Sequence, residues 1–218
     1  MLTRIPLWIL LGAVLLAFSA GSINAIALLT FSNNAASHVT GTITQAMNSL
    51  VHDTASDSTT HYLLSIVGMF LLGAVTSGVI VKNEALRQGR RYGIALFIEA
   101  IALYAATYYF YQHRLTGELL ASFACGLQNA MIATYSGSVI RTTHLTGIIS
   151  DLGAAIGQRI SGASVNGRQV IMQSAILVAF SLGAVSGALS LNALGLLAML
   201  IPASIVLLAA VSYQFKVR

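Results

Sequence analysis

The sequence predicts an all-α integral membrane protein: six transmembrane helices plus two re-entrant half-helices, forming two inverted-topology repeats of three spans each. Three observations carry this. The chain of 218 residues is 56% hydrophobic and 8% charged, with mean hydropathy +0.82, whereas soluble domains carry about 25% charged residues. Several apolar runs approach the ~20 residues that cross a bilayer. Finally, one stretch recurs. Asn33 to Met47, NNAASHVTGTITQAM, returns as Val139 to Ala154, VIRTTHLTGIISDLGA. Each copy follows an apolar segment with one Asn, Gly21-Ser-Ile-Asn24-Ala or Gly126-Leu-Gln-Asn129-Ala. Each precedes a small-residue segment, Leu72-Gly-Ala-Val-Thr-Ser-Gly78 or Leu182-Gly-Ala-Val-Ser-Gly187. Three motifs in one order make a duplicated unit within a single membrane domain, with repeat one at 1–112 and repeat two at 113–218.

Residues 5–30 are the first span. Read alone, residues 1–23 also fit a secretory signal peptide, with Arg4 as its basic region and cleavage after Ala20. The pairing of Gly21 and Asn24 with Gly126 and Asn129 keeps the segment in the mature fold. A helix of about fourteen residues then runs from Ser37 or His38 to about Val51, rising only ~20 Å. The bilayer core is about 30 Å thick, so this helix enters the membrane without crossing it. The polar loop 52–61 carries two acids and no Lys or Arg, and residues 62–81 are the second span. The loop 82–91 carries Lys82, Arg87, Arg90 and Arg91. The third span, 92–112, holds Glu99 and ends in Tyr104, Tyr108, Tyr109, Phe110 and Tyr111, an interfacial aromatic belt. Residues 117–136 are the fourth span and 143–157 the second short helix. A polar loop to Arg168 leads to the fifth and sixth spans, 169–190 and 194–213.

The positive-inside rule chooses between six and eight crossings. With both short helices re-entrant and the N-terminus inside, Arg4, Lys82, Arg87, Arg90, Arg91, Arg141, Arg159, Arg168, Lys216 and Arg218 all lie inside. Only Arg114 of the eleven basic residues lies outside. Eight crossings would put the basic loop 82–91 outside. Each repeat then has an odd number of spans, so the two copies have opposite orientations, as in many transporters and channels. The expected location is a plasma (inner) membrane, multi-pass, with both termini cytoplasmic.

The pattern Gly-X-X-Asn-Ala, an extracytoplasmic loop, then X-Thr-Gly-X resembles the YoaK family of bacterial inner-membrane proteins, a domain of unknown function (DUF1275). The closest match is Gly126-Leu-Gln-Asn129-Ala with Thr142-Thr-His-Leu-Thr-Gly147, and Glu99 also fits. The resemblance covers nearly the whole chain. The family usually has Asp where this chain has Asn24, and Met-Thr-Gly-Asn where it has Val39-Thr-Gly-Thr42. Loss of that Asp puts any coupling carried over from relatives in doubt, and the resemblance implies no agreed substrate.

The candidate substrate-binding residues are Asn24, His38, Thr40, Gly41, Asn129, His144, Thr146 and Gly147. A half-helix ending at mid-membrane aims free N–H groups and a positive dipole end into the protein, which suits an anion or polar group. Ser37 or His38, and Thr142 or Thr143, are candidate N-caps. At Gly41 and Gly147 helix packing outweighs ligand approach; Gly73, Gly78, Gly183 and Gly187 are assigned to packing. His38 and His144 fit proton transfer and structural bracing of the helix break equally. Glu99 and Asp151 are candidates for proton or ion coupling, because ionisable groups in a membrane are costly. For Glu99 the alternative is a neutral acid bonded to a neighbouring helix, and a buried carboxylate at Asp151 would be protonated, paired or hydrated.

No catalytic residue, cofactor or metal site is expected. His52, Asp53, Asp57 and His61 lie in what reads as a solvated loop, and no nucleotide-binding, hydrolase or zinc-protease motif occurs. The net charge of +5 resides in loops and does not indicate nucleic acid. The single Cys125 excludes an intrachain disulfide framework. The expected function is a secondary transporter or channel for a small polar or anionic solute, bound between the half-helices at the midplane. The alternatives are an intramembrane enzyme using His144 and Asp151 on a lipid-type substrate, and a structural or regulatory membrane subunit. The expected partners are the lipid bilayer and the solute, with room for a homo-oligomer.

Overall fold

The computed structural model describes residues 7–30, 34–52, 57–82, 90–135 and 141–216. Arg4, Asp53, Arg87, Arg218 and most of the basic loop 82–91 lie outside the described residues. The elements in order are α1 (Leu7–Leu29), α2 (Val39–His52), α3 (Asp57–Val81), α4 (Arg90–Tyr111), α5 (Thr116–Tyr135), α6 (Leu145–Ile160) and α7 (Gly167–Leu194). A 3-10 turn, Gly195–Met199, then leads into α8 (Leu200–Lys216). No strand occurs among the described residues.

Four stretches are long and apolar enough to cross a membrane: Leu10–Leu28, Ser58–Val81, Arg91–Tyr111 and Gly167–Phe215. Their outward faces are apolar as well: Leu71, Val79, Ile101, Ile171 and Leu189 are all more than 60% exposed. Water disfavours such faces and hydrocarbon accepts them. α2 and α6 differ in being amphipathic.

Three features depart from the sequence expectation. α3 begins at Asp57 rather than 62, drawing Ser58, Thr59, Thr60 and His61 out of the expected loop. Asp, Ser and Thr suit a helix start because they favour its free N–H groups. The fifth and sixth spans form one apolar run of 49 residues, broken where Gly195 adopts φ +58, a left-handed conformation that glycine alone takes without strain. α5 occupies the expected fourth span but is not among the four apolar stretches. It carries Glu118, Ser122, Gln128 and Asn129, and all but Asn129 are buried. Its neighbours α3, α4 and α1 cover these polar residues, so they meet helix rather than lipid.

The long helices pair across the two halves of the sequence. α1 packs on α7, and α3 packs on α5. Both pairs use the same device. Phe18 and Gly21 in α1, Phe70 and Gly73 in α3, Phe123 and Gly126 in α5, and Phe180 and Gly183 in α7 all spell Phe-X-X-Gly. In each pair the glycine of one helix lies against the carbonyl oxygen of the partner's phenylalanine, reciprocally. A β-carbon at Gly21 or Gly183 would collide with the carbonyl of Phe180 or Phe18, and one at Gly73 or Gly126 with that of Phe123 or Phe70. Small residues let helix backbones approach this closely. Ser22 Oγ donates to the Gly183 carbonyl at 2.8 Å, and Ser122 Oγ to the Ile66 carbonyl at 2.9 Å.

Gly78 departs from its assignment to packing: a β-carbon there would meet nothing within 4 Å. Gly187, by contrast, faces the Ser22 carbonyl. Gly183 and Gly187 are four apart and share a helix face, whereas Gly73 and Gly78 are five apart and do not.

These contacts define direction. Phe18 meets Gly183 and Ser22 meets Gly187, so α1 and α7 are parallel. Tyr62 bonds Glu118, Ser122 bonds Ile66 and Gly126 meets Phe70, so α3 and α5 are parallel. Tyr92 stacks near Tyr213 with ring centroids 6.2 Å apart, while Tyr104 Oη lies 3.0 Å from Ser204 Oγ, so α4 and α8 are antiparallel. The main core lies where α1, α4, α5 and α8 converge, around Ile23, Ile26, Leu103, Phe110, Leu127 and Val206.

The short helices stay apart. α2 seats Ala46 against Leu63 and Ile66 of α3, beside Leu119 of α5. α6 seats Ile148 against Met172 and Ile176 of α7, beside Val14 of α1. No residue of α2 comes within 8 Å of any residue of α6, Cα to Cα. This corrects the expectation that the two half-helices meet. Each uses its apolar stripe on the first half of the long helix that follows it, and none is left for its counterpart.

Candidate functional site

The expected site residues fall into three groups. The first secures the chain ahead of each short helix. Asn24, half-buried on α1, accepts from the Ser37 backbone N–H at 2.9 Å and donates to Ser37 Oγ at 2.7 Å. This double bond clasps the residues that lead into α2. The second copy does it differently. Buried Gln128, not Asn129, donates to Thr142 Oγ1 at 2.9 Å and to the Leu16 carbonyl of α1 at 3.0 Å. Its position one residue earlier, with one more methylene, reaches the same part of the loop. Asn129 is half-buried and its Oδ1 has no partner among the described residues. Ser37 and Thr142 therefore receive an amide, the role sequence reasoning missed. α6 is instead N-capped by His144, whose side chain makes no capping bond.

The second group is the His-X-X-Gly turn. His38 and His144 are exposed, and each ring lies over the first turn of its helix. A β-carbon at Gly41 would collide with Cδ2 of His38, and one at Gly147 with Cδ2 of His144. The open side of each glycine is thus filled by its own histidine, rather than by a ligand or another helix. Thr40 and Thr146, two residues after each histidine, are exposed. The geometry brings each histidine to its own glycine and does not bring α2 and α6 together.

The third group is the acids. Asp151 is exposed on α6, and its Oδ2 accepts from Nε2 of buried Gln173 on α7 at 2.7 Å. It ties the short helix to the long one. Glu99 is fully buried on α4, and neither carboxyl oxygen has a partner among the described residues. It sits on the helix that joins α5 and α8 in the main core, amid Ala95, Leu96, Ala100 and Leu103, with Cys125 in the same cluster. An ionised carboxylate with no partner in such surroundings is very costly.

Sequence reasoning overlooked Glu118. It lies 2% exposed in the first turn of α5, and Tyr62 of α3 donates to its Oε2 at 2.6 Å. An acid in a first turn complements the helix dipole, and that was the available signal. Beside it an open cleft of about 520 Å³ lies between α2, the start of α3 and Leu115. Asn34, Gln45, Asn48, Ser58, Thr59 and Tyr62 line it. A second hollow of about 480 Å³ lies at the α4–α5 turn, between His113 and Leu194, Leu196 and Leu197. Among the described residues no three His, Cys, Asp or Glu side chains gather where they could hold a metal ion.

No curated protein and no solved structure matches the chain. A family model described as protein of unknown function (DUF1275) matches residues 12–212, so the chain belongs to that family.

Proposed function

We propose that this is a membrane transport protein of six crossings, built as two inverted repeats, with Glu99 as its proton-carrying group. The topology rests on helix direction. Consecutive crossings alternate, so parallel helices have an odd number of crossings between them and antiparallel helices an even number. α4 and α8 are antiparallel. Of α5, α6 and α7 only two then cross, and α6, sixteen residues long and amphipathic, is the one that does not. α1 and α7 are parallel. With α3, α4 and α5 crossing, α2 does not cross either. The run Gly167–Phe215 counts as two crossings, because 49 helical residues would reach more than twice the ~30 Å core. Three crossings per copy invert the second copy, and α2 and α6 then enter from opposite faces. Placement in a bacterial inner membrane with cytoplasmic termini follows the basic loops.

The single observation that carries transport is the buried Glu99, without a partner among the described residues, where the two halves meet. Intramembrane acids mark ion and proton pathways by default, and inverted repeats place coupling sites at the interface of their halves. The half-helices then act as covers at the two ends rather than as the walls of one midplane site.

The test is proton flux into vesicles reconstituted with the protein. A potassium diffusion potential drives uptake, read by a trapped pH dye. The expected result is flux above that of empty vesicles, falling at least tenfold in Glu99→Gln at equal insertion. Equal flux in the two proteins, or none in either, overturns the proposal.

A further inference from the structure

The cleft between α2 and α3 does not include Glu99, and its chemistry is distinct. We infer that it is a binding site for a small, uncharged, polyhydroxylated molecule. Its role as the outer mouth of the solute path rests on the transport reading; binding itself does not.

The size is right: ligand sites usually enclose about 300–1,000 Å³, and this cleft encloses about 520 Å³. Among the described residues none of its lining side chains is charged. The polar part of its lining is a set of amides and hydroxyls, most of them from two helices, set against a larger apolar surface. Gln45 and Asn48 come from α2, and Ser58, Thr59 and Tyr62 from the first turns of α3. Amides present a donor and an acceptor on one plane, and hydroxyls either kind. That mixture suits vicinal hydroxyl groups, which also both donate and accept. Among the described residues it offers a full charge no counter-charge, which disfavours ions.

Tyr62 supplies orientation. Its proton goes to Glu118 Oε2 at 2.6 Å. With the Leu115 carbonyl at 3.4 Å as a second partner, this bond holds the phenol in place at the wall of the cleft. Glu118 is 2% exposed, so the carboxyl acts through Tyr62 and is a positioning residue. Leu63 and Leu115 provide the apolar surface against which a sugar ring's C–H face can rest.

The test is equilibrium dialysis of labelled D-glucose against the full chain in nanodiscs. Unlabelled sorbitol, sodium phosphate and choline chloride serve as competitors. Saturable retention of glucose is expected, displaced by sorbitol and not by phosphate or choline. Asn48→Leu and Thr59→Val should each weaken it at least tenfold. Both residues are exposed, and gel filtration of the variants checks that they fold. Glu99→Gln should bind glucose like the parent, so loss of flux and loss of binding are separable. No saturable retention, equal displacement by either ion, or unchanged binding in both cleft variants overturns the inference.

Discussion

Replacing Gly183 by alanine tests the reciprocal glycine packing most sharply. The new methyl group would strike the Phe18 carbonyl, a backbone atom that moves only with α1. Overpacking of this kind costs about 1–3 kcal/mol. Separating the helices also stretches the 2.8 Å bond from Ser22 Oγ to the Gly183 carbonyl, a loss of about 0.5–1.5 kcal/mol. Alanine's better helix propensity returns about 1 kcal/mol. The net expectation is a destabilisation of about 1–3 kcal/mol. Gly78→Ala is the control in the matching motif: it meets nothing within 4 Å, so only the propensity gain remains. For a chain of this length about 1 kcal/mol moves the melting temperature by ~2–4 °C. In detergent, Gly183→Ala should therefore melt about 2–12 °C lower and Gly78→Ala slightly higher. A second comparison checks the mechanism. Gly21 and Gly183 share one interface, so once the first alanine has pushed α1 from α7, the second has less to displace. Their double variant should lose less than the sum, whereas Gly73→Ala with Gly183→Ala, in separate interfaces, should add within about 0.5 kcal/mol. Equal melting of the Gly183 and Gly78 variants would refute the argument.

Two further outcomes follow from the site. Asn24→Ala and Gln128→Ala should each cost about 1–3 kcal/mol, because each leaves buried or half-buried groups unpaired, while Asn129→Ala should change stability by under about 0.5 kcal/mol; thermal melts of the three rank them. Cysteines at the exposed positions Ile43 and Ile149 should not form a disulfide under oxidant. Their helices stay beyond 8 Å, and a disulfide needs Cα atoms within about 7 Å; rapid crosslinking read by gel mobility would show that α2 and α6 do meet.

Composition alone determined that the chain is helical and suited to a membrane, since so few charges and such long apolar runs leave helix as the structure that satisfies its own backbone. The twin His-X-Thr-Gly stretches located both short helices to within three residues at each end, because a break in hydrophobicity and a small-residue turn are local signals. Phe-X-X-Gly was legible in four places and went unread, since its meaning lies in a carbonyl on another helix. Asn24 was read as facing a solute, yet its amide spends both groups on Ser37. Asn129 matched it in the alignment of the copies, while Gln128 took the bond; a one-residue shift is invisible until the loop is seen. Only the tertiary structure decided that α1 lies along α7 and α3 along α5, and that α2 and α6 stand apart. Partner choice among helices depends on complementary surfaces far apart in sequence, and no single segment carries both halves of such a contact.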